Sequence, residues 1–113
     1  MNKIKLMPEY QCSPLWKENI DGFYEPLEIK EVKGLSNLLA NRLEIWRKRF
    51  ESTYNGINPI ESGFTNDIEL DAFEKEGIEL WKELKRELSN YHIVFFSTKS
   101  NKLYEALSDY KFS

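Results

Sequence analysis

The chain has 113 residues, a length that favours a single domain over residues 1–113 with a core of its own. Apolar residues make up 41% of it and aromatic residues 14%, too much for a disordered chain. The formal net charge is −3, whereas a dedicated nucleic-acid-binding domain normally carries a basic excess. One cysteine, no apolar run of about 18 residues and no signal-peptide-like start predict a reduced, cytoplasmic protein without a membrane segment.

The first third of the chain is predicted to be extended and rich in turns. Residues 3–7 alternate polar and apolar side chains, with Ile4 and Leu6 on one face, and therefore predict a half-buried strand. Pro8 ends this strand because it lacks an N–H donor. Two short extended pieces are predicted next, Leu15-Trp16 and Phe23-Tyr24. They flank a turn with the sequence Asn19-Ile20-Asp21-Gly22.

Two amphipathic helices are predicted in the middle of the chain. Ser36 is a suitable N-cap for the first, which runs to about Ser52. Asn66, with Glu69 three residues later, resembles a capping box that starts the second. The apolar stripes are Leu39, Leu43, Trp46 and Phe50 on the first helix, and Leu70, Phe73, Gly77, Leu80, Leu84 and Leu88 on the second. A glycine in a helix interior costs about 1 kcal/mol relative to alanine, so we expect Gly77 to let another backbone approach closely.

The end of the chain predicts one more strand and one more helix. The apolar run at residues 93–96 indicates a strand within 91–97 that is covered on both faces or central in its sheet. Leu103, Leu107 and Tyr110 fit one side of a short last helix. The expected fold class is therefore α+β: two main helices packed on a small, mainly antiparallel sheet, with a short C-terminal helix.

Few residues suggest catalysis. The single histidine, His92, lies inside a predicted strand without an evident orienting acid, so we expect a packed or edge residue rather than a general base. Cys12 is interpreted as a small packing residue. One cysteine and one histidine are too few for an ordinary zinc site, and phosphate-binding glycine motifs are missing from the sequence, so we expect no metal and no cofactor. The alternative hypothesis is a small enzyme or ligand-binding protein with a pocket near Tyr10, Cys12, Trp16 and His92.

Charge is distributed unevenly along the chain. Residues 61–80 carry seven acids and one base, a net charge of −6, whereas residues 42–49 carry a net charge of +3. The two helices could simply complement each other and solvate the fold. Alternatively, the acidic segment is a docking surface for a basic protein. The candidate partner-binding residues are Glu61, Asp67, Glu69, Asp71 and Glu74.

A second charged stretch combines basic and aromatic residues at positions 46–50. Its aromatic members, Trp46 and Phe50, fall on the apolar stripe of the first helix. Stacking on bases needs exposed aromatic faces, so we expect no direct contact with nucleic acid.

The chain resembles a family of short bacterial proteins with the N-terminal signature LMPxYxCxPLW. The matching residues here are Leu6-Met7-Pro8, Tyr10, Cys12 and Pro14-Leu15-Trp16. Over about residues 3–96 the resemblance continues through Leu35-Ser36, Trp46, Asn58-Pro59, Ser62-Gly63-Phe64, Phe73-Glu74 and Glu76-Gly77. Some members resemble the immunity proteins encoded beside contact-dependent growth-inhibition toxins or other polymorphic toxins.

The resemblance implies a small cytoplasmic α/β inhibitor, not an enzyme. Such a protein binds the C-terminal domain of one cognate toxin, often a nuclease, and blocks its active site. A basic nuclease cleft would suit the acidic segment found in this chain. The expected partner is thus a basic nuclease domain, with no direct binding of nucleic acid or membrane. The chain departs from the family in a tail at residues 99–113 and an insert around residues 31–33.

Overall fold

The structure is a computed structural model that describes residues 2–111. These residues contain five strands and two α-helices. The strands are β1 (Asn2–Leu6), β2 (Leu15–Glu18), β3 (Tyr24–Pro26), β4 (Tyr91–Ser97) and β5 (Lys102–Tyr104). The helices are α1 (Asn37–Glu51) and α2 (Asp67–Glu87). Short 3-10 turns occur at Ile29–Glu31, Pro59–Glu61 and Leu107–Asp109.

The strands form one mixed sheet in the order β3-β2-β1-β4-β5. The parallel pair joins β1 to β4, with Ile4 opposite Ile93, and the other neighbouring pairs are antiparallel. Both helices pack on one face of this sheet, onto Ile4, Leu6, Ile93 and Phe95. The expected α+β architecture is confirmed, with a sheet that is mostly antiparallel.

The two helices begin where their caps predict. The Ser36 Oγ accepts a hydrogen bond from the Leu39 N–H at 3.1 Å, and the Asn66 Oδ1 accepts one from the Glu69 N–H at 2.8 Å. Each bond satisfies an N–H that has no partner within the first helical turn. The hairpin turn after β2 is also confirmed, with Gly22 at a φ of 84°.

The helices run antiparallel and are connected at several points along their length. The Glu87 carboxylate accepts hydrogen bonds from the Ser36 N–H and Oγ–H, both at 2.7 Å. Further along the pair, Arg42 donates to Glu76 at 2.8 Å, and the Trp46 Nε1–H donates to the Phe73 carbonyl at 3.0 Å. The predicted charge complementarity between the helices is therefore realised in the Arg42–Glu76 ion pair.

Gly77 lies at the closest approach between α1, α2 and the sheet. A Cβ built at this position would lie 2.9 Å from the Trp46 ring and 3.0 Å from the Phe95 ring. The prediction of a close approach is confirmed, but the predicted neighbour was wrong: two aromatic side chains, not a backbone, occupy the space. Both rings are almost fully buried, so neither can swing away into solvent.

The predicted C-terminal helix is wrong. Residues 102–104 form β5, which pairs with β4 through Phe96 opposite Leu103, and residues 107–109 make only a single 3-10 turn. Asn101 has a φ of 54°, a left-handed conformation that closes the β4–β5 hairpin and interrupts any helix at that point. Leu107 and Tyr110 still pack against the core, so their apolar character correctly indicated burial although the backbone is not helical.

We predict that Gly77→Ala destabilises the protein. Helix propensity favours alanine by about 1 kcal/mol, but overpacking a buried site usually costs about 1–3 kcal/mol, so the net change should be a loss. Urea denaturation measures it. Lys75→Ala, at an exposed position of the same helix, is the matched control and should leave stability within about 0.5 kcal/mol. An increase in the free energy of unfolding for Gly77→Ala would contradict the tight packing.

Candidate functional site

The acidic residues of the candidate surface lie on two sides of the start of α2. Successive helical residues turn by about 100°, so Asp67 and Asp71 share one side while Glu69 faces another. Glu61, in the 3-10 turn before the helix, lies on the side of Glu69. The structure thus divides the segment into two groups.

Glu61 and Glu69 line a surface depression together. Its volume is about 240 Å³, and its wall includes Thr53 and the half-buried ring of Phe64. An adjoining depression is lined by Glu69, Phe64 and Arg49, so one cation borders the acidic pair. Among residues 2–111, the carboxylates of Glu61 and Glu69 take part in no salt bridge. Both charges are available to a partner.

Asp71 lies on the other side, where its charge is partly compensated. The Lys99 Nζ lies 2.7 Å from the Asp71 Oδ1, and this hydrogen bond raises the pKa of Lys99. Both side chains are about half exposed, so the pair is worth little to folding. Asp67 is exposed nearby and has no ion pair within the described chain. This side therefore offers one unpaired carboxylate and one paired one.

Glu74 differs from the other four acids because it is buried, with 3% of its surface exposed. Its carboxylate accepts hydrogen bonds from the hydroxyls of Ser97 and Tyr110, and a longer one from the Lys99 N–H at 3.4 Å. Burial, together with the bond to Glu74, raises the pKa of Tyr110. Glu74 joins α2, β4 and the C-terminal turn inside the fold, so its carboxylate is not part of the exposed surface.

Glu74→Ala should therefore lower stability, unlike the exposed acids. The substitution removes the carboxylate that accepts from the buried Ser97 hydroxyl and from the Tyr110 hydroxyl, and losing these hydrogen bonds should cost about 1–3 kcal/mol. Urea denaturation of Glu79→Ala, an exposed acid on the same helix, provides the control and should differ from wild type by about 0.5 kcal/mol or less. Equal stabilities of the two variants would show that the Glu74 network does not support the fold.

The four residues of the alternative pocket are distributed over different parts of the surface. Tyr10 stacks on Phe50 at 4.5 Å and hydrogen-bonds Thr53. Cys12 is half-buried in a depression of about 250 Å³ whose wall includes Arg47. Trp16 and His92 instead lie on the sheet face that the helices leave uncovered, next to the β1 residues Lys5 and Lys3. The residues Tyr10, Cys12, Trp16 and His92 do not line one pocket.

The uncovered sheet face carries aromatic side chains together with charges of both signs. The Lys5 Nζ lies 4.4 Å from the Tyr24 ring centroid and 5.4 Å from that of Trp16, and burial lowers the pKa of Lys5. The Trp16 Nε1–H donates to the Met7 carbonyl at 2.9 Å. The His92 Nε2 lies 2.9 Å from the Glu105 carbonyl oxygen. His92 is thus half-buried in a strand and contacts backbone.

The basic and aromatic stretch at residues 46–50 contributes to the core and to local pairing. Trp46 is buried and Phe50 packs against the core, as predicted. Arg47 makes an ion pair with Glu44 at 2.9 Å, and this bond raises the pKa of Arg47. The aromatic rings are therefore not presented for stacking on bases.

Two exposed isoleucines in the segment between the helices were not among the residues predicted for the site. Ile57 and Ile60 lie between α1 and α2, with 99% and 94% of their surfaces exposed. The signal was present, since both stand in a segment of turn-forming residues, Asn55-Gly56 and Asn58-Pro59, where no helical or strand periodicity assigns them to the core.

The described residues, 2–111, contain neither a cluster of metal-binding side chains nor a helix that could span a membrane. Within that range, no three residues of the metal-binding types (histidine, cysteine, aspartate or glutamate) come together as a possible ion site. Neither α1 nor α2, the long helices of the described chain, is apolar enough to cross a membrane.

The fold and the candidate site define a small α+β protein with two helices on a mostly antiparallel sheet and exposed acids on two sides of the start of α2. A family model matches residues 2–98, and the chain belongs to the Serratia CdiI immunity protein-like family. The comparison with curated proteins gives no match. The resemblance noted from the sequence is thereby confirmed, and membership favours a binding role over an enzymatic one.

Proposed function

We propose that this protein neutralises a cognate toxin by binding its C-terminal domain and covering the active site. The toxin would belong to a contact-dependent growth-inhibition system, and its active domain would be a basic nuclease. The cytoplasm, where an imported nuclease meets nucleic acid, is the compartment that this role implies. Membership of an immunity protein-like family is the observation that carries the proposal.

The exposed acids support the choice of a basic partner. Glu61, Asp67 and Glu69 are exposed and take part in no salt bridge within the described residues. Unpaired surface charges steer an oppositely charged partner and increase the rate of association. A nuclease cleft must attract phosphate and is therefore basic, so it suits these three carboxylates. Asp71, paired with Lys99, belongs to the edge of the proposed surface.

Charge reversal tests the proposed surface. The triple variant Glu61→Lys, Asp67→Lys, Glu69→Lys should slow association with the toxin domain encoded beside this chain by about tenfold or more, and should flatten its salt dependence. Association rates at several ionic strengths, measured by surface plasmon resonance, provide the readout. Circular dichroism checks that the triple variant remains folded.

The control makes the same change in net charge elsewhere. Asp21→Lys, Glu25→Lys, Glu31→Lys replaces three exposed acids in the β2–β3 hairpin and the segment after it, and it too takes the formal charge from −3 to +3. It should bind with nearly the wild-type rate. If this control is the variant that binds slowly, the interface lies at the hairpin. If folded wild type binds no neighbouring toxin domain, the immunity proposal fails.

Variants of Cys12 and His92 distinguish inhibition by binding from a function that depends on these side chains. Cys12→Ala and His92→Gln should each change stability by about 1 kcal/mol or less. Cells that produce either variant together with the toxin should survive as well as cells with wild type, because neither side chain lies on the proposed surface. A folded variant that fails to protect would favour the alternative of a small enzyme or ligand-binding protein.

A further inference from the structure

Residues 53–63, here called the interhelix loop, form a closed loop between the two helices. The Gly63 N–H donates to the Thr53 carbonyl at 3.1 Å, and the Asn55 N–H donates to the Ser62 Oγ at 2.7 Å. These two bonds bring the ends of the loop together. A loop of this length with adjoining ends is a compact unit held by its own contacts.

The tip of the interhelix loop is also held in place by hydrogen bonds. The Asn55 Oδ1 accepts from the N–H groups of Ile57 and Asn58, at 3.0 and 2.9 Å. After them comes the 3-10 turn Pro59–Glu61, in which the Glu61 N–H donates to the Asn58 carbonyl at 2.9 Å. Proline restricts the backbone further by fixing its φ. The backbone of the tip is therefore defined before any partner binds.

This ordered tip projects two large apolar side chains into solvent. The exposed fractions of Ile57 and Ile60, 99% and 94%, mean that almost none of either side chain is covered by the fold. Glu61 follows directly and lines the depression that Glu69 shares. The sequence from residue 50 to residue 74 contains acids but no lysine or arginine. Ile60 is thus followed directly by an exposed carboxylate, which fits an apolar interface centre with a polar rim.

We propose that Ile57 and Ile60 are the apolar anchors of the toxin complex and insert into an apolar pocket whose rim carries basic side chains. The inference rests on the proposed function and specifies its partner surface. Charge complementarity selects the occupant, because a basic rim would pair with Glu61, which follows Ile60, and with Glu69, which lines the same depression as Glu61. Since the loop is already ordered, binding loses little conformational entropy there.

The anchors and the acids should affect different steps of binding. Rim charges act mainly at a distance and change the association rate and its salt dependence. Buried apolar anchors make contacts only after docking, so their loss increases the dissociation rate. This difference lets one set of measurements separate the two contributions.

The experiment compares the double variant Ile57→Ser, Ile60→Ser with wild type, using the toxin domain encoded beside this chain. We expect a dissociation rate faster by about 100-fold, with an association rate and salt dependence close to those of wild type. Circular dichroism and the melting temperature should not change, because the isoleucines contact little of the fold. The control Ile20→Ser, Ile45→Ser removes two other exposed isoleucines, 105% and 60% exposed, and should dissociate like wild type.

The possible failures are distinguishable. If wild type binds the toxin domain and the Ile57→Ser, Ile60→Ser variant dissociates at the wild-type rate, the anchor inference is wrong while the immunity function stands. If the control double variant dissociates equally fast, the effect is not specific to the interhelix loop and the inference is also wrong. If wild type binds no toxin domain, the proposed function fails, and the anchor inference fails with it.

Discussion

The indole of Trp46 connects the parts of this protein that the candidate surface depends on. Its ring stacks on Phe73 at 4.5 Å with an angle of 3° between the planes, and its edge lies over Gly77. The Nε1–H donates to the Phe73 carbonyl, which can also accept the helical bond from Gly77 because a carbonyl oxygen has two lone pairs. A side chain of α1 is thereby fixed to the backbone of α2. This contact holds together the two helices that the interhelix loop connects.

An aromatic chain continues from Trp46 to the base of the interhelix loop. Phe73 contacts Phe64 at 4.9 Å, and Phe50 contacts both Phe73 and Tyr10. Phe64 follows the closed loop directly and also lines the depression that Glu61 and Glu69 share. The loop is therefore hydrogen-bonded at its ends and packed against the core beside them. The proposed anchors stand on a rigid base, although they themselves contact almost nothing.

Local signals in the sequence were sufficient to predict both helices and the first strands. Ser36 and Asn66 act as caps through bonds within three residues, so neighbouring residues already contain the information. The same holds for the Gly22 turn. In contrast, β5 depends on pairing with β4 and on the left-handed backbone of Asn101, and the spacing of Leu103, Leu107 and Tyr110 suited a helix equally well. A periodic apolar pattern records which residues are buried, and several backbone conformations satisfy it.

The candidate site was predicted with the same mixture of success and error. Sequence proximity grouped five acids, but it could not reveal that Glu74 faces inward, because its partners Ser97 and Tyr110 are 23 and 36 residues away. The prediction also assigned Glu69 and Asp71 to the same partner-binding set, whereas the helical turn directs them to different sides. The turn-forming residues around Ile57 and Ile60 already indicated that these isoleucines lie outside the core. Their almost complete exposure, in contrast, is a property of the folded chain.

The acids near the start of α2 do not all have the same explanation. Asp67 and Glu69 lie in the first helical turn, where negative charge interacts favourably with the helix dipole, so they contribute to folding as well as to the proposed surface. Asp71 has Lys99, and Glu74 has its buried hydrogen bonds. None of these explanations applies to Glu61. It precedes the helix, is exposed, and makes no salt bridge within the described residues. It lies directly beside Ile60, which the fold also leaves uncovered. Neither side chain is explained by the stability of the isolated chain, and a partner that offers a cation next to an apolar pocket would explain both.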